Sequence, residues 1–157
     1  MTGFEISALD ETTLQTVRAS RTDVSSNPVV ASTAEGGEPL RCCLRNAHAG
    51  EQIILFGHEP ALPASPYREV GAVFAHAEPC GGPAFVGGYP PDWLGRRQIL
   101  RAYDARGWIH PASCEHDGTD PVAAIEAVLA RPDVVLVHSR NVVYGCYMFA
   151  ITRAAVL

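Results

Sequence analysis

Three residue types that do chemistry alternate along one short stretch of the chain, Ala75-His76-Ala77-Glu78-Pro79-Cys80. In a strand, His76 and Glu78 project from the same face, roughly 7 Å apart. That suits a histidine held by a carboxylate, or two groups flanking a substrate; a metal would need further ligands. Zinc deaminases carry a comparable His-Ala-Glu and Pro-Cys, but they set the His and Glu at a helix start and take two more ligands from Pro-Cys-x-x-Cys. Here "GAVFA" before the motif reads as strand and "PCGGP" after it breaks regular structure. No second cysteine follows at the required spacing, so the expectation is that no metal is bound.

A second constellation lies in "VVLVHSRNVVYGCYMFAIT", two apolar strand runs joined at a tight turn. Leu136, His138 and Arg140 share one face, and Tyr144, Cys146 and Met148 share a face of the returning strand. With Asn141–Val143 as a three-residue loop, Arg140 faces Tyr144 and His138 faces Cys146, about 5 Å apart. A loop one residue longer scatters them to opposite faces. His138 ends a buried-looking run and needs a partner there, structural or catalytic.

Two more pairs complete the inventory. In "LRAYD", Arg101 and Tyr103 share a strand face, where the arginine either snorkels at an edge or binds an anion. In "CCLR", an extended chain puts Cys43 and Arg45 on one face and Cys42 and Leu44 on the other. Free cysteines commonly serve as small buried hydrophobes. A reactive thiol, with Cys43, Cys80 and Cys146 as the candidates, needs an electropositive, accessible setting.

The elements that must position these groups are mostly strands. Strand signals run over 4–9, 29–32, 40–44, 52–57 and 71–77, with a short helix after Asp10. The Pro-rich stretch "PALPASPYRE" crosses between the last two strands, with one helical turn expected at Ser65. "PDWLGRR" suits a short helical turn, and "QILRAYDARGWIHPASCE" reads as a hairpin whose Gly107 takes positive φ. "TDPVAAIEAVLARPD" is the clearest helix: Thr119 or Asp120 caps it, Pro121 sits in its first turn and Pro132 stops it. Residues 22–39 and 80–91 are loop-rich. Many strands, two or three helices and hairpin-length connections indicate an α+β fold, a single domain over 1–157 with a mainly antiparallel sheet and a C-terminal β-hairpin.

Composition narrows the function classes. The chain has 157 residues, 47% hydrophobic and 18% charged, with net charge −5, which fits one folded domain. No block of like charge marks a nucleic-acid partner, and no apolar run is long enough for a membrane span. The start "MTGFEISALDETT" lacks the basic and apolar regions of a signal peptide, so a cytoplasmic location is expected. Five cysteines, an odd number, then point to reduced thiols. All 12 basic residues are Arg, with no Lys. That excludes a lysine Schiff base and a standard phosphate-binding P-loop.

Taken together, Cys-Leu-Arg-x-Ala (43–47), Ser-Pro-Tyr (65–67), Val-Phe-x-His-Ala-Glu (73–78), Leu-Arg-Ala-Tyr-Asp (100–104) and His-x-Arg-Asn-x-x-Tyr-Gly-Cys (138–146) resemble the bacterial domain-of-unknown-function family numbered 1203. The resemblance runs in order from about residue 39 to the C-terminus and implies a single-domain bacterial protein. It supplies no reaction. One departure stands out: the family pattern Pro-Cys-Arg-His-Cys-Leu is here Pro39-Leu40-Arg41-Cys42-Cys43-Leu44, without the Cys and the His a metal or redox site would use.

The favoured expectation is an enzyme that needs no metal or redox cofactor and acts on a small anionic metabolite in specialised metabolism. Arg101 and Arg140 would neutralise the anion, His76 and His138 would transfer protons with Glu78 tuning, and Tyr103, Asn141 and Tyr144 would orient the substrate. Such a set supports elimination, cyclisation or isomerisation, a lyase-type chemistry driven by positioning and charge stabilisation. The alternatives are a non-catalytic ligand-binding module, a subunit of a homo- or hetero-oligomeric biosynthetic enzyme, and a thiol protein.

Overall fold

The computed structural model describes residues 3–155. It has two helices and ten strands in two five-stranded sheets. The first sheet has the order β1-β10-β9-β7-β8, built from β1 (Phe4–Ser7), β7 (Gln98–Tyr103), β8 (Cys114–His116), β9 (Leu136–Asn141) and β10 (Tyr147–Arg153). Its pairings are all antiparallel. The second has the order β2-β5-β6-β3-β4, from β2 (Val30–Thr33), β3 (Pro39–Leu40), β4 (Arg45–Asn46), β5 (Gln52–His58) and β6 (Gly71–His76). One pairing in it is parallel, β3 with β6. The α+β class with mainly antiparallel pairing is therefore observed, but split between two sheets.

Each sheet has its own helix. Helix α1 (Glu11–Ser20) starts where the Asp10 carboxylate accepts from the Thr13 N–H at 2.9 Å, and it stops at Arg21 in the left-handed region. Its Leu14 and Val17 pack with Ile53, Phe56 and Val73 of the second sheet. Helix α2 (Pro121–Leu129) is capped by Asp120, with Pro121 in its first turn as expected. Its Ile125, Val128 and Leu129 pack with Leu100, Val137 and Ile151 of the first sheet. Trp93, in a 3-10 turn over Pro91–Trp93, stacks on Phe149 and donates from its indole to Asn46 Oδ1, joining the first core to the second sheet. Among the described residues no helix is long and apolar enough to cross a membrane.

Two local expectations are corrected, and both decide the sites. The strand expected over 40–44 breaks: residues 41–44 form a turn closed by Leu44 N–H to the Leu40 carbonyl, with Leu44 at φ 55. The reason lies in packing, since Leu40, Cys42 and Cys43 belong to one core and Leu44 to the other, so the chain must change layers here. The terminal hairpin has a five-residue connection, 142–146, so Tyr147 rather than Tyr144 lies opposite Arg140. A bulge between Tyr147 and Phe149 then sets His138 opposite Ala150 rather than Cys146. Ser65 does start a single turn, closed by Arg68 N–H to its carbonyl at 3.3 Å, and its hydroxyl accepts from Tyr67 N–H and donates to the Gly107 carbonyl. Gly107 takes φ 78 in the 104–107 turn, as its spacing required.

Candidate functional site

Register gathers the first cluster. Arg101 on β7 is paired directly with His138 on β9, and Tyr147 on β10 with Arg140. The His138 ring lies edge-on between Tyr103, at 4.9 Å between centroids, and Tyr147, at 5.1 Å. From the Pro-rich segment between β5 and β6, Glu69 reaches over this face. One carboxylate oxygen accepts from Arg101 Nη1 at 2.5 Å and from Arg140 Nη2 at 2.6 Å. Arg140 Nη1 also donates to the Gly145 carbonyl, while its Nε is buried without a partner. Arg41 adds a further buried cation nearby, held by the backbone carbonyls of Tyr147 and Pro39.

His138 is 2% exposed, and neither ring nitrogen has a hydrogen-bond partner. Burial first, and then the charge of Arg140, push its pKa down to about 4, against an opposing influence of the Ala61 backbone. The imidazole is therefore neutral at physiological pH. Burial likewise pushes the Tyr147 hydroxyl up to about 12 and lowers Arg41 to about 10.

The second cluster sits at the other end of the second sheet. In the 41–44 turn, Cys42 and Cys43 both face His76, the last residue of β6, instead of lying on opposite faces. His76 Nδ1 is 3.4 Å from Cys42 Sγ and 3.8 Å from Cys43 Sγ, and the two sulfurs are 3.9 Å apart. Cys80 completes the group: the three sulfurs and the imidazole nitrogen all lie within 4.8 Å of one another. Behind the ring, His76 Nε2 is 2.7 Å from Glu51 Oε2, and Glu51 also accepts both Arg45 Nη1 and Nη2 at 2.8 Å. That bidentate pair holds the Glu51 carboxyl well below the usual range. Arg18 of α1 pins the backbone by donating to the carbonyls of His76 and Glu78. A cavity of about 340 Å³, lined by Arg45, Glu51, His76, Glu78 and Cys80 among others, opens beside the cluster. A larger one of about 620 Å³, between α1 and β2, gathers no comparable set of reactive groups.

The expected residues thus divide. Arg101, Tyr103, His138 and Arg140 meet in one place; His76, Cys43 and Cys80 meet in another. Glu78 lies beyond the end of β6, and the carboxylate that holds His76 is Glu51. Asn141 is buried and accepts from Arg96 through its side chain, apart from Arg140's ion pair. Tyr144 is 87% exposed in the hairpin loop, and Cys146 Sγ lies 4.0 Å from the Tyr144 carbonyl, away from His138 in the strand register. Sequence reasoning missed Arg41, Cys42 as a partner of His76, Glu51, Glu69 and Tyr147. Only Tyr147 had a local signal, since a hairpin connection of five residues in place of three puts it, not Tyr144, opposite Arg140.

The protein so defined is an α+β chain with two sheets, carrying one basic His–Arg–Tyr cluster and one sulfur–imidazole cluster. It belongs to the family described as Protein of unknown function (DUF1203), whose model matches residues 37–153 and so spans both clusters. No curated protein and no solved structure matches the chain.

Proposed function

We propose that the protein binds a small anionic metabolite between Arg101 and Arg140 and acts on it as an elimination, cyclisation or isomerisation enzyme of the cytoplasm, without a redox cofactor. The observation that supports this most is the seat of Glu69. Its carboxylate occupies the position between two guanidiniums that a ligand carboxylate or phosphate would take. Glu69 is half-exposed and Arg101 partly so, whereas Arg140 is buried, so solvent and a competing anion reach the bridge from the Glu69 side. Beneath it His138 waits neutral, with both ring nitrogens unpartnered. Burial first and Arg140 second keep His138 unprotonated, the form that accepts a proton from a substrate held by the arginines.

A non-catalytic binding module is the second reading, favoured by the cover that Tyr103 and Tyr147 give His138. Assembly as a subunit of a larger enzyme belongs with it, and the exposed Val143 and Tyr144 at the hairpin tip would be its contacts.

Calorimetric titration with small mono- and dicarboxylates and phosphate monoesters tests the site. Glu69→Gln frees both arginines and is expected to tighten binding of the preferred anion about tenfold, a change on the order of 1.4 kcal/mol. Arg140→Met is expected to abolish binding. If Glu69→Gln and Arg140→Met both leave affinities unchanged, the anion reading fails. Conversion of a bound anion by the wild type but not by His138→Gln separates the enzyme from the binding module.

A further inference from the structure

The sulfur–imidazole cluster calls for a ligand of the opposite charge. We propose that Cys42, Cys43, His76 and Cys80 form a tetrahedral site for one thiophilic divalent cation of the zinc class. This site is separate from the anion cluster and does not depend on it.

Spacing is the first argument. Zn–S bonds of about 2.3 Å and Zn–N bonds of about 2.0–2.1 Å give a tetrahedron with S···S edges of about 3.8 Å and S···N edges of about 3.6 Å. The observed separations are 3.9 Å for Cys42 to Cys43, and 3.4 and 3.8 Å from the two sulfurs to His76 Nδ1. A three-thiolate, one-imidazole donor set is the soft combination that selects such an ion over magnesium or calcium.

The second shell points the same way. Glu51 holds the proton on His76 Nε2, so the Nδ1 lone pair is turned toward the sulfurs. This is the carboxylate–histidine arrangement that orients metal-binding imidazoles. The His76 backbone N–H donates to Cys42 Sγ at 3.2 Å, stabilising a thiolate there. Each thiol that binds gives up its proton to solvent, so three thiolates and a dication leave one net negative charge. Arg45 lies against that charge, with Nη2 3.2 Å from the His76 ring.

Backbone geometry supplies an independent argument. Adjacent cysteines on a strand point to opposite faces. Here both sulfurs meet one imidazole because the chain turns at 41–44 instead of continuing as a strand. Burying cysteines as hydrophobes needs no such convergence. Four protein ligands close the coordination sphere, which is the pattern of a structural site. The ion would tie three segments together: the turn, the end of β6, and the glycine-rich stretch that begins at Cys80 and carries Tyr89 into the first core.

The test is metal loading of the full chain, fully reduced and stripped by chelator, with zinc and with cobalt(II) as the probes. One equivalent of zinc is expected to resist a micromolar chromophoric chelator. Cobalt is expected to give intense visible bands of tetrahedral geometry with sulfur-to-metal charge transfer. Cys80→Ser, at the exposed ligand, is expected to lose the tight site while keeping the far-UV circular dichroism of the wild type. Glu51→Gln is expected to weaken binding 10- to 100-fold. The proposal is overturned if reduced wild type binds less than one equivalent under these conditions, if cobalt gives a weak octahedral spectrum, or if Cys80→Ser binds as tightly as wild type.

Discussion

His138→Phe is the substitution that most directly probes the basic cluster. In the folded protein His138 has a pKa near 4, against an ordinary value of 6.5. As pH falls from 8, the unfolded chain takes up a proton on this residue that the folded chain refuses. Stability is therefore lost as pH drops through 6.5 and levels off once the folded state also protonates, near 4. At pH 5 the loss from this residue alone is about 2 kcal/mol relative to pH 8. Phenylalanine keeps an aromatic ring between Tyr103 and Tyr147 but cannot titrate. Urea unfolding of wild type and His138→Phe at pH 8 and pH 5 isolates the difference. His116, also lowered by burial, titrates in both proteins and cancels, while His58, whose charge is the smallest cause acting on His138, leaves only a minor remainder. The variant is expected to lose about 2 kcal/mol less than wild type between the two pH values. Equal losses would refute the account of His138 as a buried, unpartnered imidazole repelled by Arg140.

Two further substitutions test the scaffold that positions both clusters. Trp93→Ala removes the stack on Phe149 and the bond to Asn46, and is expected to cost about 3–5 kcal/mol in urea unfolding. Gly118→Ala forces a side chain onto backbone at φ 84, where its Cβ would lie 2.4 Å from Arg96 N. It is expected to cost on the order of 2 kcal/mol or more, seen as a lowered melting temperature.

Much of the fold was legible because its signals are local. Asp10 and Asp120 announce their helices through capping chemistry that needs only the next three residues. The β7–β8 hairpin follows from Gly107, and the alternation of Leu100 and Ala102 with Arg101 and Tyr103 correctly divides core from site face. That His138 needs explaining was legible too, since it closes an apolar strand run. The carboxylates were not. Glu69 reaches Arg140 from 71 residues away and Glu51 reaches His76 across 25, and nothing near any of the four in sequence marks the pairing.

By itself, then, the amino-acid order determined the α+β class, both helices, the shared face of Arg101 and Tyr103, and the residue types available for chemistry. Only the tertiary structure decided which of them meet. A five-residue connection brings Tyr147 to Arg140 in place of Tyr144, the bulge after it sets His138 opposite Ala150, and the turn at 41–44 brings two adjacent cysteines onto one histidine. The first two depend on loop length and a bulge, the third on the chain passing from one core to the other at Leu44. Strand periodicity cannot foresee them, because it assumes a regular backbone, and here the regularity breaks where the two cores meet and at the bulge in β10.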